Sequence, residues 1–208
     1  SGGSTPLPLY RRLATHDRSA FPWKESEIFF ADERCVSPRD PRSNFRGAWE
    51  SLLAHVPVTR RRIHRLRGEL SPATEAARRY ARAIGPTGGS GDEPRFDVVL
   101  LGLGPDGHTA SLFPSAPALR ERRRPVVAVS RAGQPPFVPR LTMTLPALAS
   151  SRQVWFLVSG AEKATVVAKT LAAGPAGSEA LPASLVRSRG TVAWYLDRPA
   201  AADLGTTY

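Results

Sequence analysis

The strongest regularity in this chain is the run at 96–102, Phe-Asp-Val-Val-Leu-Leu-Gly, which is almost wholly apolar. Such a run suits a central parallel strand covered on both faces, where no position needs to meet water. Shorter apolar runs predict further strands at 27–31, Val126–Val129, 141–144, 154–158 and 192–196. Helical spacing lies between them. Leu7, Leu9, Tyr10 and Leu13 predict a short helix over 6–13, with Thr5 at its N-cap and Pro6 at its first position. Phe45, Trp49, Leu52 and Leu53 share one face of a helix over 44–55, and amphipathic patterns continue at 72–84 and 161–171. The Gly- and Pro-rich stretch 86–94 reads as a surface loop, since a strand follows at once. Strands alternating with helices specify an α/β fold: an open, mostly parallel sheet with right-handed crossovers and helices on both faces. No internal repeat is visible, and one domain over 1–208 is expected.

Composition adds few constraints. A chain of 208 residues buries a substantial core without a disulfide or metal staple. Its single cysteine, Cys35, has no partner for an internal bridge and fits a reducing, cytoplasmic setting. No apolar run approaches the ~20 residues of a membrane span, and no secretory leader is apparent. The first residue is Ser1 and the only methionine is Met143, so a fragment, a processed form or the tail of a larger protein is expected.

Charge changes the picture more. The formal net charge is +11, and Lys24, Lys163 and Lys169 are the only lysines. The densest basic runs, Arg60–Arg62 and the Arg-rich stretch 120–124, have no interleaved aromatics to stack on bases, so a solvated surface is preferred to a nucleic-acid interface. A basic field also attracts a small anionic substrate.

In an open parallel sheet, ligands bind beyond the carboxyl ends of the strands. Three polar motifs follow predicted strands directly: Asp32-Glu33-Arg34, Gly104-Pro105-Asp106-Gly107-His108, and Ser159-Gly160-Ala161-Glu162-Lys163. They are therefore expected to share one rim. In the second, Asp106-Gly107 forms a tight turn. His108 is then placed near a helix start, whose positive end would keep the imidazole neutral, as a general base requires. Asp106 is placed to orient the ring, although a histidine that merely caps a turn fits the same residues. The other histidines, His16, His55 and His64, fall at helix ends or in loops. Ser1-Gly2-Gly3-Ser4-Thr5-Pro6 has the composition of a phosphate cradle at a helix N-terminus, or equally of a Gly-Ser-rich tail. Arg140 and Lys163 are cations beside apolar elements, each requiring an anion, whether a protein carboxylate or a ligand phosphate. The histidines lack ligand spacing, so neither a metal nor another cofactor is implied.

Taken in order, SGGSTP, FFADERCVSPRDPRSNF, DVVLLGLGPDGHTASLFP, RLTMTLP and VSGAEK resemble the 6-phosphogluconolactonases over nearly the whole chain. The resemblance implies a Rossmann-like fold shared with glucosamine-6-phosphate deaminases and ribose-5-phosphate isomerases. It implies hydrolysis of 6-phospho-D-glucono-1,5-lactone in the pentose phosphate pathway. His108 would be the base, aided by Asp106. The glycine loop (Ser1, Gly2, Gly3, Ser4, Thr5), Arg34, Arg140 and Lys163 would hold phosphate. Asn44 matches a motif position without a derivable role. Members carry a helix and a first strand before the glycine loop, absent here, which suggests N-terminal truncation or fusion to another segment. Two alternatives stay open. An amino-sugar phosphate deaminase would carry a carboxylate where Phe113 stands and an aromatic residue where Arg34 stands. A sugar-phosphate-binding module of a dehydrogenase fusion would be non-catalytic.

Overall fold

The computed structural model describes residues 2–85, 96–174 and 176–205. Ser1 and the expected loop at 86–94 lie outside the described residues. The first helix, α1 (Leu7–Thr15), begins one residue later than its periodicity suggests. Pro6 already has helical φ and ψ and occupies the cap position, and no side chain caps this end, so Thr5 does not serve as N-cap. A short strand β1 (Ile28–Phe29) leads almost directly into β2 (Asp32–Arg34). The expected helix at 44–55 is α2 (Asn44–Ala48) followed by one π-helical stretch, Trp49–Leu53. Strand β3 (Ile63–His64) precedes α3 (Ala73–Ile84), whose Ala76, Ala77, Tyr80 and Ile84 are buried. His64 is thus a strand residue; its ring stacks on Phe29 and its Nε2 lies 2.6 Å from Glu27.

After β4 (Val98–Leu101) come β5 (Val126–Val129), β6 (Arg140–Met143), α4 (Leu145–Ala149), β7 (Gln153–Val158), α5 (Ala164–Ala172) and β8 (Thr191–Leu196). Strands β4, β7 and β8 form a parallel sheet in that order, and β1 pairs with β3 in parallel. These pairings bear out the expected mostly parallel α/β architecture, beside which β2, β6 and β5 form an antiparallel sheet. The segment between β5 and β6 is too short for the helical crossover that parallel neighbours require, so the chain turns back on itself. The core runs through all these elements. Phe156, Val154, Leu141, Met143, Leu148 and Val167 are essentially inaccessible, and Trp194 of β8 stacks on Phe156 with ring centroids 4.0 Å apart. Helix α3 packs on β5 and β6, which fixes the antiparallel sheet against the core. No helix among the described residues is long and apolar enough to cross a membrane.

Candidate active site

The strands dictate which side chains meet. Alternation along β2 sends Asp32 and Arg34 to one face and Glu33 to the other. Glu33 is buried and accepts hydrogen bonds from the Ser43 hydroxyl and from the main-chain N–H groups of Arg34, Asn44 and Phe45. It thereby ties the start of α2 to the sheet. Burial pushes its carboxyl up, against the pull of those four donors. On the opposite face, the antiparallel register sets Arg34 beside Arg140 and Asp32 beside Thr142. The motif Asp32-Glu33-Arg34 is therefore a strand in its own right, not a loop trailing one, and its alternation divides a structural carboxylate from two pocket residues.

Arg140 is 4% exposed and donates to three main-chain carbonyls of the segment before it: Gln134 (3.3 Å), Pro136 (2.8 Å) and Val138 (3.2 Å). Burial, followed by the adjacent Arg34 charge, pushes the Arg140 guanidinium below its ordinary pKa. Arg34 donates to the Arg42 carbonyl, while its buried Nε has no partner. Two like charges directly opposite in a sheet are destabilising. An anion between them would relieve the repulsion and satisfy the orphan donor.

The glycine loop closes this side. Gly3 has φ +86°, which an L side chain rarely adopts. A Cβ on Gly2 would lie 1.9 Å from Asn44 Oδ1, so only glycine lets the loop pass this close. This gives Asn44 its place: its Nδ2 donates to the Asp32 carbonyl and carboxylate, and its side chain backs the loop. Asp32 also accepts from Ser111, 2.7 Å away, and so joins the glycine loop's support to the turn bearing His108.

That turn follows β4. Gly107 has φ +79°, and a Cβ at Gly104 would lie 2.0 Å from His108 Nδ1, so glycine at 104 makes room for the ring. His108 Nδ1 lies 2.5 Å from Asp106 Oδ1, which also accepts the His108 main-chain N–H at 3.1 Å. Burial alone would raise the Asp106 carboxyl. Its hydrogen bond and charge contact with His108, then the His108 main-chain N–H and Gln134, bring it down to about 2. An ionised Asp106 fixes the proton of neutral His108 on Nδ1 and leaves Nε2 with its lone pair. The helix expected after His108 is absent: Thr109 and Leu112 close a tight bridge instead. The Asp106 carboxylate, not a helix start directly after His108, is the group that meets Nδ1.

After β7, Gly160 with φ +103° opens the Ser159–Lys163 stretch. Lys163 Nζ donates to the Leu103 carbonyl at 3.0 Å, so it joins the rims of β4 and β7 through a main-chain contact, where a carboxylate or a ligand phosphate was expected as its partner. All these pieces border one cavity of about 540 Å³. Gly2, Gly3, Ser4, Thr5, Arg34, Asn44, His108, Arg140 and Lys163 line it, whereas Asp106 stands behind His108 and Ser1 lies outside the described residues. Asp32 and Glu162 also line it. Sequence reasoning passed over Asp32 as a pocket residue, although its two-residue spacing from Arg34 in a strand was the available signal. Among the described residues, no three His, Cys, Asp or Glu side chains converge as metal ligands would.

Comparison with known proteins places this geometry. The family model described as glucosamine-6-phosphate isomerases/6-phosphogluconolactonase matches residues 1–194. The 6-phosphogluconolactonase of Mycobacterium tuberculosis is 39% identical over 212 residues, covering 98% of this chain and 83% of that protein. The crystal structure of 6-phosphogluconolactonase from Thermotoga maritima superposes with a TM-score of 0.80 at 34% identity, covering 94% of this chain and 82% of that one. The human GDH/6PGL endoplasmic bifunctional protein is 34% identical over 95% of this chain, which spans 25% of that longer protein. The chain, with its glycine loop, paired arginines and His108–Asp106 dyad around one cavity, belongs to the glucosamine-6-phosphate isomerase/6-phosphogluconolactonase family.

Proposed function

We propose that the protein hydrolyses 6-phospho-D-glucono-1,5-lactone to 6-phosphogluconate, with His108 as general base. The observation that carries this reading is a histidine, oriented by an ionised Asp106, in the same cavity as the opposed pair Arg34 and Arg140. The phosphate sits between the arginines, with main-chain N–H groups of the Gly2–Thr5 loop at the start of α1 as further donors. Lys163, already bound to the Leu103 carbonyl, has donors left for the same anion. Neutral His108 takes a proton at Nε2 from a water molecule as the water oxygen bonds to the lactone carbonyl carbon. The tetrahedral intermediate then collapses. Its bond to the ring oxygen breaks, and the imidazolium returns the proton to that oxygen, giving the open hydroxy acid.

Phe113 separates this reading from amino-sugar deamination. It is buried, its ring packs against His108 with centroids 4.7 Å apart, and it offers no carboxylate for opening a sugar ring. The intact dyad likewise favours an enzyme over a binding module. A cytoplasmic location, where Cys35 stays a free thiol, belongs to the same proposal. The decisive experiment is lactone hydrolysis measured after subtraction of the spontaneous rate. Enzyme-dependent turnover of the phosphorylated lactone is expected, and turnover of glucosamine 6-phosphate in its place would overturn the assignment.

A further inference from the structure

The segment 130–139 between β5 and β6 touches both ends of the cavity, and one residue does so alone. The Gln134 main-chain carbonyl accepts from Arg140 at 3.3 Å, while its side-chain Nε2 donates to Asp106 Oδ2 at 3.3 Å. The other Asp106 oxygen is occupied by His108. Gln134 thus links the buried arginine of the anion end to the carboxylate that orients the base.

The link has physical consequences at both ends. A carboxylate held through one oxygen only can rotate about its Cβ–Cγ bond, and the imidazole it orients can follow. A donor on the second oxygen fixes the carboxylate plane and with it the ring. At the other end, Arg140 uses Nε and one terminal nitrogen on the carbonyls of residues 134, 136 and 138. An anion engaging the rest of the guanidinium opposes the Arg34 charge and holds Arg140 in the place where it grips that segment. Pro135 itself lines the cavity, so the segment also meets whatever binds there.

We infer that Gln134 is a positioning residue that makes the orientation of His108 depend on occupancy of the Arg34–Arg140 anion site, so that the phosphate end of the substrate primes the base. The inference rests on the lactonase reading above and adds a specificity device to it. The phosphate would raise turnover as well as affinity, because binding energy at a remote group is spent on aligning the reacting one.

The test divides the substrate in two. Hydrolysis of the unphosphorylated glucono-1,5-lactone is measured with and without saturating inorganic phosphite. The wild-type enzyme should be accelerated by phosphite. Gln134→Met, of similar length but without a donor, should lose about tenfold of the acceleration, read as the ratio of its rates with and without phosphite, the lower end for a hydrogen bond to a charged group. Gln134→Lys, which restores a donor, should recover most of it. Circular dichroism confirms that each variant is folded. Absence of acceleration in the wild type overturns the inference, as does an equal acceleration in Gln134→Met. A Gln134→Met rate reduced equally with and without phosphite would mean a merely structural role and overturns it too. Failure of the wild type to hydrolyse the phosphorylated lactone would instead refute the underlying activity.

Discussion

Replacing Asp106 by asparagine keeps the shape of the turn and removes only the charge behind the base. The structure sets the size of the effect. Asp106 Oδ1 is 2.5 Å from His108 Nδ1, the two side chains are 23% and 20% exposed, and the carboxyl lies at about 2 against an ordinary 3.8. The contact it makes with His108 is a hydrogen bond to a charged group, worth roughly 1.5–3 kcal/mol. In the transition state His108 becomes imidazolium, so the lost stabilisation appears in the barrier as a roughly 10- to 150-fold fall in kcat. An asparagine that turns its NH2 toward Nδ1 would place the imidazole proton on Nε2, and the fall would then approach about 10⁴-fold, the size known for the wrong histidine tautomer in serine proteases. KM should change little, because Asp106 does not line the cavity. The assay is lactone hydrolysis between pH 5 and 8 with the spontaneous rate subtracted. A variant within threefold of wild type at pH 7 would refute the dyad.

Other outcomes follow from the same geometry. His108→Ala should lower kcat by about 10²–10⁴-fold with a smaller change in KM; a variant within threefold of wild type at pH 7 would contradict it. Arg34→Ala should weaken inhibition by inorganic phosphate about 10- to 150-fold, the value of a charged hydrogen bond, and unchanged inhibition would place the anion elsewhere. Gly2→Ala forces a Cβ into Asn44, so KM and the phosphate inhibition constant should rise together while thermal stability is held; a variant with wild-type KM would show that the loop is not part of the site. Because the Asp106 carboxyl is depressed in the fold, its stabilisation is complete above pH ~4 and lost as pH falls through about 2. Asp106→Asn should therefore flatten the acid-unfolding curve in that window, as followed by circular dichroism.

Much of the molecule was legible in the chain because its signals are local. The apolar runs at 98–101 and 154–158 and the helical period at 73–84 each produce their element where the pattern lies. The turn glycines around His108 likewise declare their backbone geometry. Parallel pairing of β4 with β7 then brings the two following loops to one rim, as the rule for strand carboxyl ends requires. What the chain could not declare was pairing between distant segments. Nothing near residue 34 says that it will stand opposite residue 140, yet that antiparallel register sets the two arginines side by side, where the proposed phosphate would bind, and divides the roles of Asp32, Glu33 and Arg34. Lys163 reads as a cation awaiting a carboxylate or a phosphate until the fold brings the Leu103 carbonyl to it, and Gln134 falls between two predicted strands until the fold sets it between Arg140 and Asp106. Propensity and periodicity act over a few residues and are written in the sequence. Register, burial and the partner of a charge depend on which surfaces meet, and only the packed tertiary structure decides that.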